Sequence, residues 1–170
     1  SAERQLLTPE LVEHNVARQK EIFARVIDFS AGGDRAAKMV NNGDWLRNLG
    51  YIDLLRDVGK HFSVNQMIVR DSVKSRLEGR EQGISYTEFS YMILQAYDFL
   101  HLFRTAGCTV QLGGADQWGN IVSGIDLVRR MAQGEAYGIT NPLVTKSDGT
   151  KFGKSEKGAV WLTADRTSPF

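Results

Sequence analysis

The stretch from Cys108 to Arg130, CTVQLGGADQWGNIVSGIDLVRR, constrains this chain more than any other. Cys108 to Leu112 has β character. Gly113-Gly114 follows at once, and glycine lets a backbone turn tightly and approach a ligand with no Cβ in the way. Ala115-Asp116-Gln117 then opens a run with apolar residues at Trp118, Ile121, Val122, Ile125 and Val128, which is helical spacing. A strand, a glycine turn and a helix N-terminus, in that order, build the nucleotide crevice of an open α/β sheet. An ordinary βα turn has the same order. The Asp116-Gln117 pair favours the binding reading, because it puts two hydrogen-bonding side chains where a ligand at the strand's carboxyl end would sit.

The totals narrow the class. A chain of 170 residues with 42% hydrophobic and 24% charged residues can bury a real core and has the make-up of a globular protein. A net charge of +1 argues against a strongly basic nucleic-acid binder while leaving room for a local basic patch. The lone cysteine, Cys108, cannot form an internal disulfide, which suits a reducing compartment; a cytoplasmic location is expected, with a mitochondrial or plastid one as the alternative. No apolar run approaches the length of a membrane span. The start at Ser1 and the stop at Phe170, just after a proline, read as a piece of a longer protein.

Thr8-Pro9-Glu10 is a helix start: a capping threonine, a proline at the first helical position and a glutamate at the positive end of the dipole. The predicted helix runs to about Phe29, with Leu11, Val16, Ile22, Phe23 and Val26 facing inward. Ala37 to Val40 is read as a strand, Tyr51 to Gly59 and Asp71 to Leu77 as short helices. No pair of histidines stands at a metal-ligand spacing, so no metal site is expected. Ile139 to Thr145 and Ala159 to Leu162 are expected strands. Between them Lys151-Phe152-Gly153-Lys154-Ser155 is a glycine-containing loop with two lysines, suited to mobile cations closing over phosphates or simply to a solvated basic hairpin.

Ser85-Tyr86-Thr87-Glu88 has the capping-box pattern and opens a predicted helix from about Thr87 to Thr105. That helix is apolar nearly all round, the pattern of a buried helix. Yet Tyr91, Gln95 and Asp98, spaced by four and three residues, fall on one face. An aspartate buried there needs a partner. Either an internal network satisfies the stripe or a polar ligand does.

These stretches carry a resemblance. KFGKS at Lys151 to Ser155 is similar to the lysine signature loop of class I aminoacyl-tRNA synthetases. GISYTEFSYMILQAYDF (Gly83 to Phe99), QLGGADQWGNI (Gln111 to Ile121), DVGKHFSVN (Asp57 to Asn65) and NPLVTKSDGTKFGKS (Asn141 to Ser155) resemble the tyrosyl-tRNA synthetases of bacteria and organelles. The resemblance runs in order along almost the whole chain. It implies an α/β, Rossmann-like class I catalytic domain: a helical connective region over about residues 1–82 and the second half of the nucleotide-binding fold over about 83–170. The family's histidine-containing signature, the first half of its fold and its anticodon-binding region have no counterpart here. The 170-residue chain by itself is therefore expected to be inactive.

The activity the resemblance implies is ATP-dependent conversion of L-tyrosine to tyrosyl-adenylate and transfer to tRNA(Tyr), with magnesium accompanying ATP. Residue by residue, it implies that Asp98 accepts a hydrogen bond from the substrate phenol and that Tyr91 and Gln95 bind the amino end. Gln117 lies near the reacting carboxylate, and Gln111 lines the same pocket. Gly113, Gly114 and Asp116 would meet the adenosine, with Lys154 and Ser155 at the phosphates. Lys151 and Lys154 would stabilise negative charge as the carboxylate attacks the α-phosphorus. Tyr86 matches a position at the interface of a homodimer. Two alternatives stay open: a tryptophanyl-tRNA synthetase, which shares the fold, and an RNA-binding relative that assists splicing.

Overall fold

A computed structural model describes residues 7–34, 36–79, 83–145, 149 and 161–168. The chain divides into two compact units, Ser1–Gly43 with Phe152–Phe170, and Asp44–Lys151. In the first unit the helix α1 spans Pro9–Phe23. Its cap is the one the sequence predicts: the Thr8 hydroxyl accepts from the backbone N–H of Leu11 at 3.3 Å. The helix ends six residues earlier than expected, and its apolar residues do not form a core. Leu11 and Phe23 are more than two-fifths exposed and Val26 is 82% exposed. Where the helix stops, the Asp28 carboxylate accepts from the hydroxyl and backbone N–H of Ser30, which lowers the Asp28 pKa and fixes a turn instead of another helical turn. The segment Ala37 to Val40 is not a strand but irregular backbone. A strand needs a neighbour to share its ladder, and none pairs with it among the described residues.

The second unit holds the core. A short helix α2, Gly43–Leu46, begins at the join between the units. After it come α3, Tyr51–Asp53, a π-helical turn Leu54–Val58 and a 3₁₀ turn Gly59–His61, so the helix expected over Tyr51 to Gly59 is present but wound in three ways. Helices α4, Val64–Ile68, and α5, Asp71–Glu78, follow. The longest helix, α6, spans Tyr86–Ala106. Ser85 caps it by accepting from the N–H of Glu88 at 3.2 Å. Gly107 closes it at φ 63, a left-handed conformation that glycine adopts without a Cβ clash.

Strand β1, Val110–Gly114, a 3₁₀ turn Ala115–Gln117, helix α7, Trp118–Ala132, and strand β2, Tyr137–Asn141, complete the unit. The strands pair in parallel with Gly113 opposite Thr140 and Gly114 opposite Asn141. Strand, helix and parallel strand form a βαβ unit, the element expected of an open α/β sheet. The second strand starts two residues earlier and ends four residues earlier than predicted, stopping before Pro142, which has no N–H for a ladder. Helices α6 and α7 pack against each other over a core of Phe99, Leu100, Leu127, Val128, Ala96 and Val58, each no more than 2% exposed. Burying a side chain such as Phe99 or Leu100 this fully stabilises by about 1.5–3 kcal/mol. The helix α6 is not buried all round: Met92, Ala96, Phe99 and Leu100 are buried while Tyr91 is 59% exposed.

Candidate active site

The site is built where β1 meets α7, which packs on α6. Gly113 and Gly114 are not a turn, as the sequence led us to expect. They are the last two residues of β1, paired and extended, with φ −71 at Gly114. Both positions are close against neighbouring side chains. A Cβ on Gly113 would lie 3.1 Å from the Gln117 Cβ and 3.3 Å from Ile121 Cδ1. One on Gly114 would lie 2.8 Å from Asp116 Oδ1 and 2.9 Å from Leu143 Cδ2. The strand therefore brings Gln117 and Asp116 down onto its carboxyl end, at the start of α7, where backbone N–H groups and the helix dipole favour anions.

On α6, Gln95 and Asp98 have different partners, and Tyr91 is exposed. The Trp45 indole, on α2, donates from Nε1 to Asp98 Oδ1 at 2.8 Å. The same indole stacks on His101, with ring centroids 4.4 Å apart and planes 15° from parallel. Asn120, one turn into α7, donates from Nδ2 to Gln95 Oε1 at 2.9 Å and toward Gln117 Oε1 at 3.5 Å. Gln95 and Gln117 thus share one hydrogen-bonding partner, although 22 positions separate them in the sequence. Gln111, on β1, has a buried Oε1 with no hydrogen-bond partner among the described residues. A buried acceptor left unpaired costs stability, so an orphan of this kind points to a missing donor.

Sequence reasoning missed Trp45 and Asn120. Trp45 lies 53 residues from Asp98 and Asn120 lies 25 from Gln95, so no local pattern links them. The hint was the costly aspartate on an apolar helix, which demanded a donor without saying from where. Lys151, Lys154 and Ser155, assigned to the signature loop, lie outside the described residues. Among the described residues no cluster of three His, Cys, Asp or Glu could hold a metal. No described helix is long and apolar enough to cross a membrane.

Two further surfaces lie on the same unit. Tyr86 is 60% exposed, and its hydroxyl lies 3.2 Å from that of Tyr51. That hydrogen bond raises the Tyr86 phenol above its ordinary pKa. The two tyrosines border an apolar hollow of about 170 Å³ that Leu54, Leu55, Ile93 and Leu94 also line. Elsewhere, His61, Arg70 and Arg130 converge on a small polar groove with Asp126. Arg129, next to Arg130, is held at 3.2 Å by Asp126.

A model of the family described as class I tRNA synthetases (W and Y) matches residues 1–170. The chain is 58% identical over 170 residues to a tyrosine--tRNA ligase of Cereibacter sphaeroides (strain ATCC 17025), and 58% identical over 168 residues to that of Roseobacter denitrificans. It covers 100% and 99% of its own length in those matches but spans only 40% of the length of each relative. Among solved structures, it is similar to a C-terminally truncated mitochondrial tyrosyl-tRNA synthetase of Coccidioides posadasii, with TM-score 0.69 and 27% identity over 99% of this chain and 51% of that one. The corresponding enzyme from Aspergillus nidulans gives TM-score 0.70 at 29% identity, over 97% of this chain and 49% of that one. The βαβ unit with its glycine-ended strand is thus part of an α/β class I synthetase fold, and the chain belongs to the class I tRNA synthetase family of the tryptophan and tyrosine enzymes.

Proposed function

We propose that the full-length protein activates L-tyrosine with ATP and transfers it to tRNA(Tyr), and that this chain supplies the tyrosine-recognising half of the site. The observation that carries the reading is Asp98, half-buried on α6, with its Oδ1 oriented by the Trp45 indole and Gln95 one turn away on the same face. A carboxylate held in a partly dry position accepts a phenol hydroxyl and gives phenylalanine nothing to pair with. Gln95 and Tyr91 would take the amino end and Gln117 the carboxylate, with Gln111 offering its unpaired Oε1 to the same ligand. The adenosine would lie against Gly113, Gly114 and Asp116, at the carboxyl end of β1 beside the start of α7.

Chemistry at this site needs no covalent intermediate with the protein. The substrate carboxylate attacks the α-phosphorus, and pyrophosphate leaves with charge that Lys151 and Lys154 would neutralise. Magnesium would enter on ATP, bound mainly by phosphate oxygens. We place the tRNA acceptor end near the Arg130, Arg70 and His61 groove and a second copy of the protein against the Tyr86 hollow, giving a homodimer. Residues 1–82 serve in this reading as the connective region and 83–170 as the second half of the nucleotide-binding fold, in a cytoplasmic enzyme. ATP–pyrophosphate exchange with a panel of amino acids tests it: exchange dependent on tyrosine is the expected result, and exchange driven by tryptophan or by no amino acid would overturn it.

A further inference from the structure

The resemblance assigns roles to Gln95 and Gln117 but none to the residue that bonds to both. Asn120 is the third residue of α7 and half-buried. Its Nδ2 reaches Gln95 Oε1 at 2.9 Å, across the α6–α7 contact, and Gln117 Oε1 at 3.5 Å, one turn back. A primary amide has an acceptor end and a two-donor end, and the end that is held decides which end a ligand meets. Asn120 Nδ2 has two N–H donors and two glutamine oxygens to receive them.

We infer that Asn120 is a positioning residue of the amino-acid site, the group that sets the amide orientation of Gln95 and Gln117 together. The inference rests on the reading of those glutamines as tyrosine ligands. With its oxygen engaged by Asn120, Gln117 keeps both Nε2 donors for a carboxylate. Gln95 keeps the second lone pair of an Oε1 that can no longer flip away, which is the acceptor an ammonium group needs. One side chain thereby makes the site polar in the right sense at both ends of an α-amino acid. Without it each glutamine could present either end, and half of the orientations would set like against like. Asn120 acts through the two glutamines it bonds, so its effect belongs in substrate binding.

Asn120→Asp is the sharpest perturbation. It conserves shape, places an acid in the first turn of a helix where the dipole tolerates it, and replaces the donors by acceptors. Both glutamines must then rotate to donate to it, exchanging donor and acceptor at the ligand. Asn120→Ala removes the restraint without adding charge. In the full-length protein, tyrosine-dependent pyrophosphate exchange should show KM for tyrosine raised roughly tenfold in Asn120→Ala and more in Asn120→Asp, the factor expected for an ordinary hydrogen bond lost or reversed. The kcat should stay within about threefold and the preference for tyrosine over phenylalanine unchanged, since the phenol contact at Asp98 is untouched. An unchanged KM in both variants overturns the inference. So does a rise confined to Asn120→Asp, which would be repulsion by the new charge, or a rise matched by lost discrimination and a lower melting temperature, which would be a packing defect. Should Asn120→Asp fail to fold, Asn120→Ala decides alone. A wild-type protein that does not activate tyrosine defeats the functional reading with the inference; an active wild type with indifferent variants defeats the inference only.

Discussion

Trp45→Phe isolates a single donor. The phenylalanine ring can still lie on His101, which stacks with the indole at 4.4 Å, but the Nε1–H that reaches Asp98 at 2.8 Å is gone. A hydrogen bond to an ionised group contributes about 1.5–3 kcal/mol. Asp98 is half-buried, so water can stand in part for the missing donor, and the lower end, about 1.5 kcal/mol, is the appropriate figure. Since about 1.4 kcal/mol is a factor of ten, a carboxylate held less firmly for the phenol should cost roughly tenfold in kcat/KM for tyrosine. Phenylalanine has no hydroxyl to lose a partner, so its kcat/KM should change little and the discrimination should shrink by the same factor. Pyrophosphate exchange with both amino acids on the full-length protein reads this directly, with urea denaturation to confirm folding. If both amino acids lose activity equally, Trp45 acts through packing. If neither changes, the position of Asp98 does not depend on the indole.

Other outcomes follow from the same geometry. In Gly124→Ala the new methyl would lie 2.9 Å from Phe99 Cδ1 and 3.1 Å from its Cβ, in the α6–α7 core, so overpacking should destabilise by about 1–3 kcal/mol, measurable by chemical denaturation; a variant as stable as wild type would mean the two helices can separate without cost. Tyr86→Asp should weaken self-association roughly a hundredfold or more by putting an unpaired charge beside an apolar hollow, as sedimentation at several concentrations would show; an unaltered dimer removes Tyr86 from the interface. Lys154→Ala should slow adenylate formation by roughly 10²–10³ in single-turnover assays while tyrosine affinity holds, because the charge is needed mainly in the transition state; an unchanged rate denies the loop its role.

Several elements of this protein were decided within a few residues of sequence. The Thr8 and Ser85 caps, the extent of α6 to within a residue at either end, its left-handed stop at Gly107 and the strand–helix–strand order from β1 to β2 all follow from hydrogen bonds and side-chain spacings shorter than one or two turns. The face carrying Tyr91, Gln95 and Asp98 was equally legible, because helical periodicity is local. Tertiary structure decided the rest. Whether Ala37 to Val40 becomes a strand depends on a partner ladder, and whether α1 has an inward face depends on something to pack against it. The two glycines ending β1 looked like a turn, but they are extended, and what crowds them is the approach of Gln117 and of Leu143, the latter 29 positions away from Gly114. Trp45 on Asp98 and Asn120 on Gln95 are likewise contacts across 53 and 25 residues. The sequence announces that a half-buried carboxylate and two amides must be satisfied; only the closure of the chain, which the packing of α6 on α7 drives, selects the side chains that satisfy them.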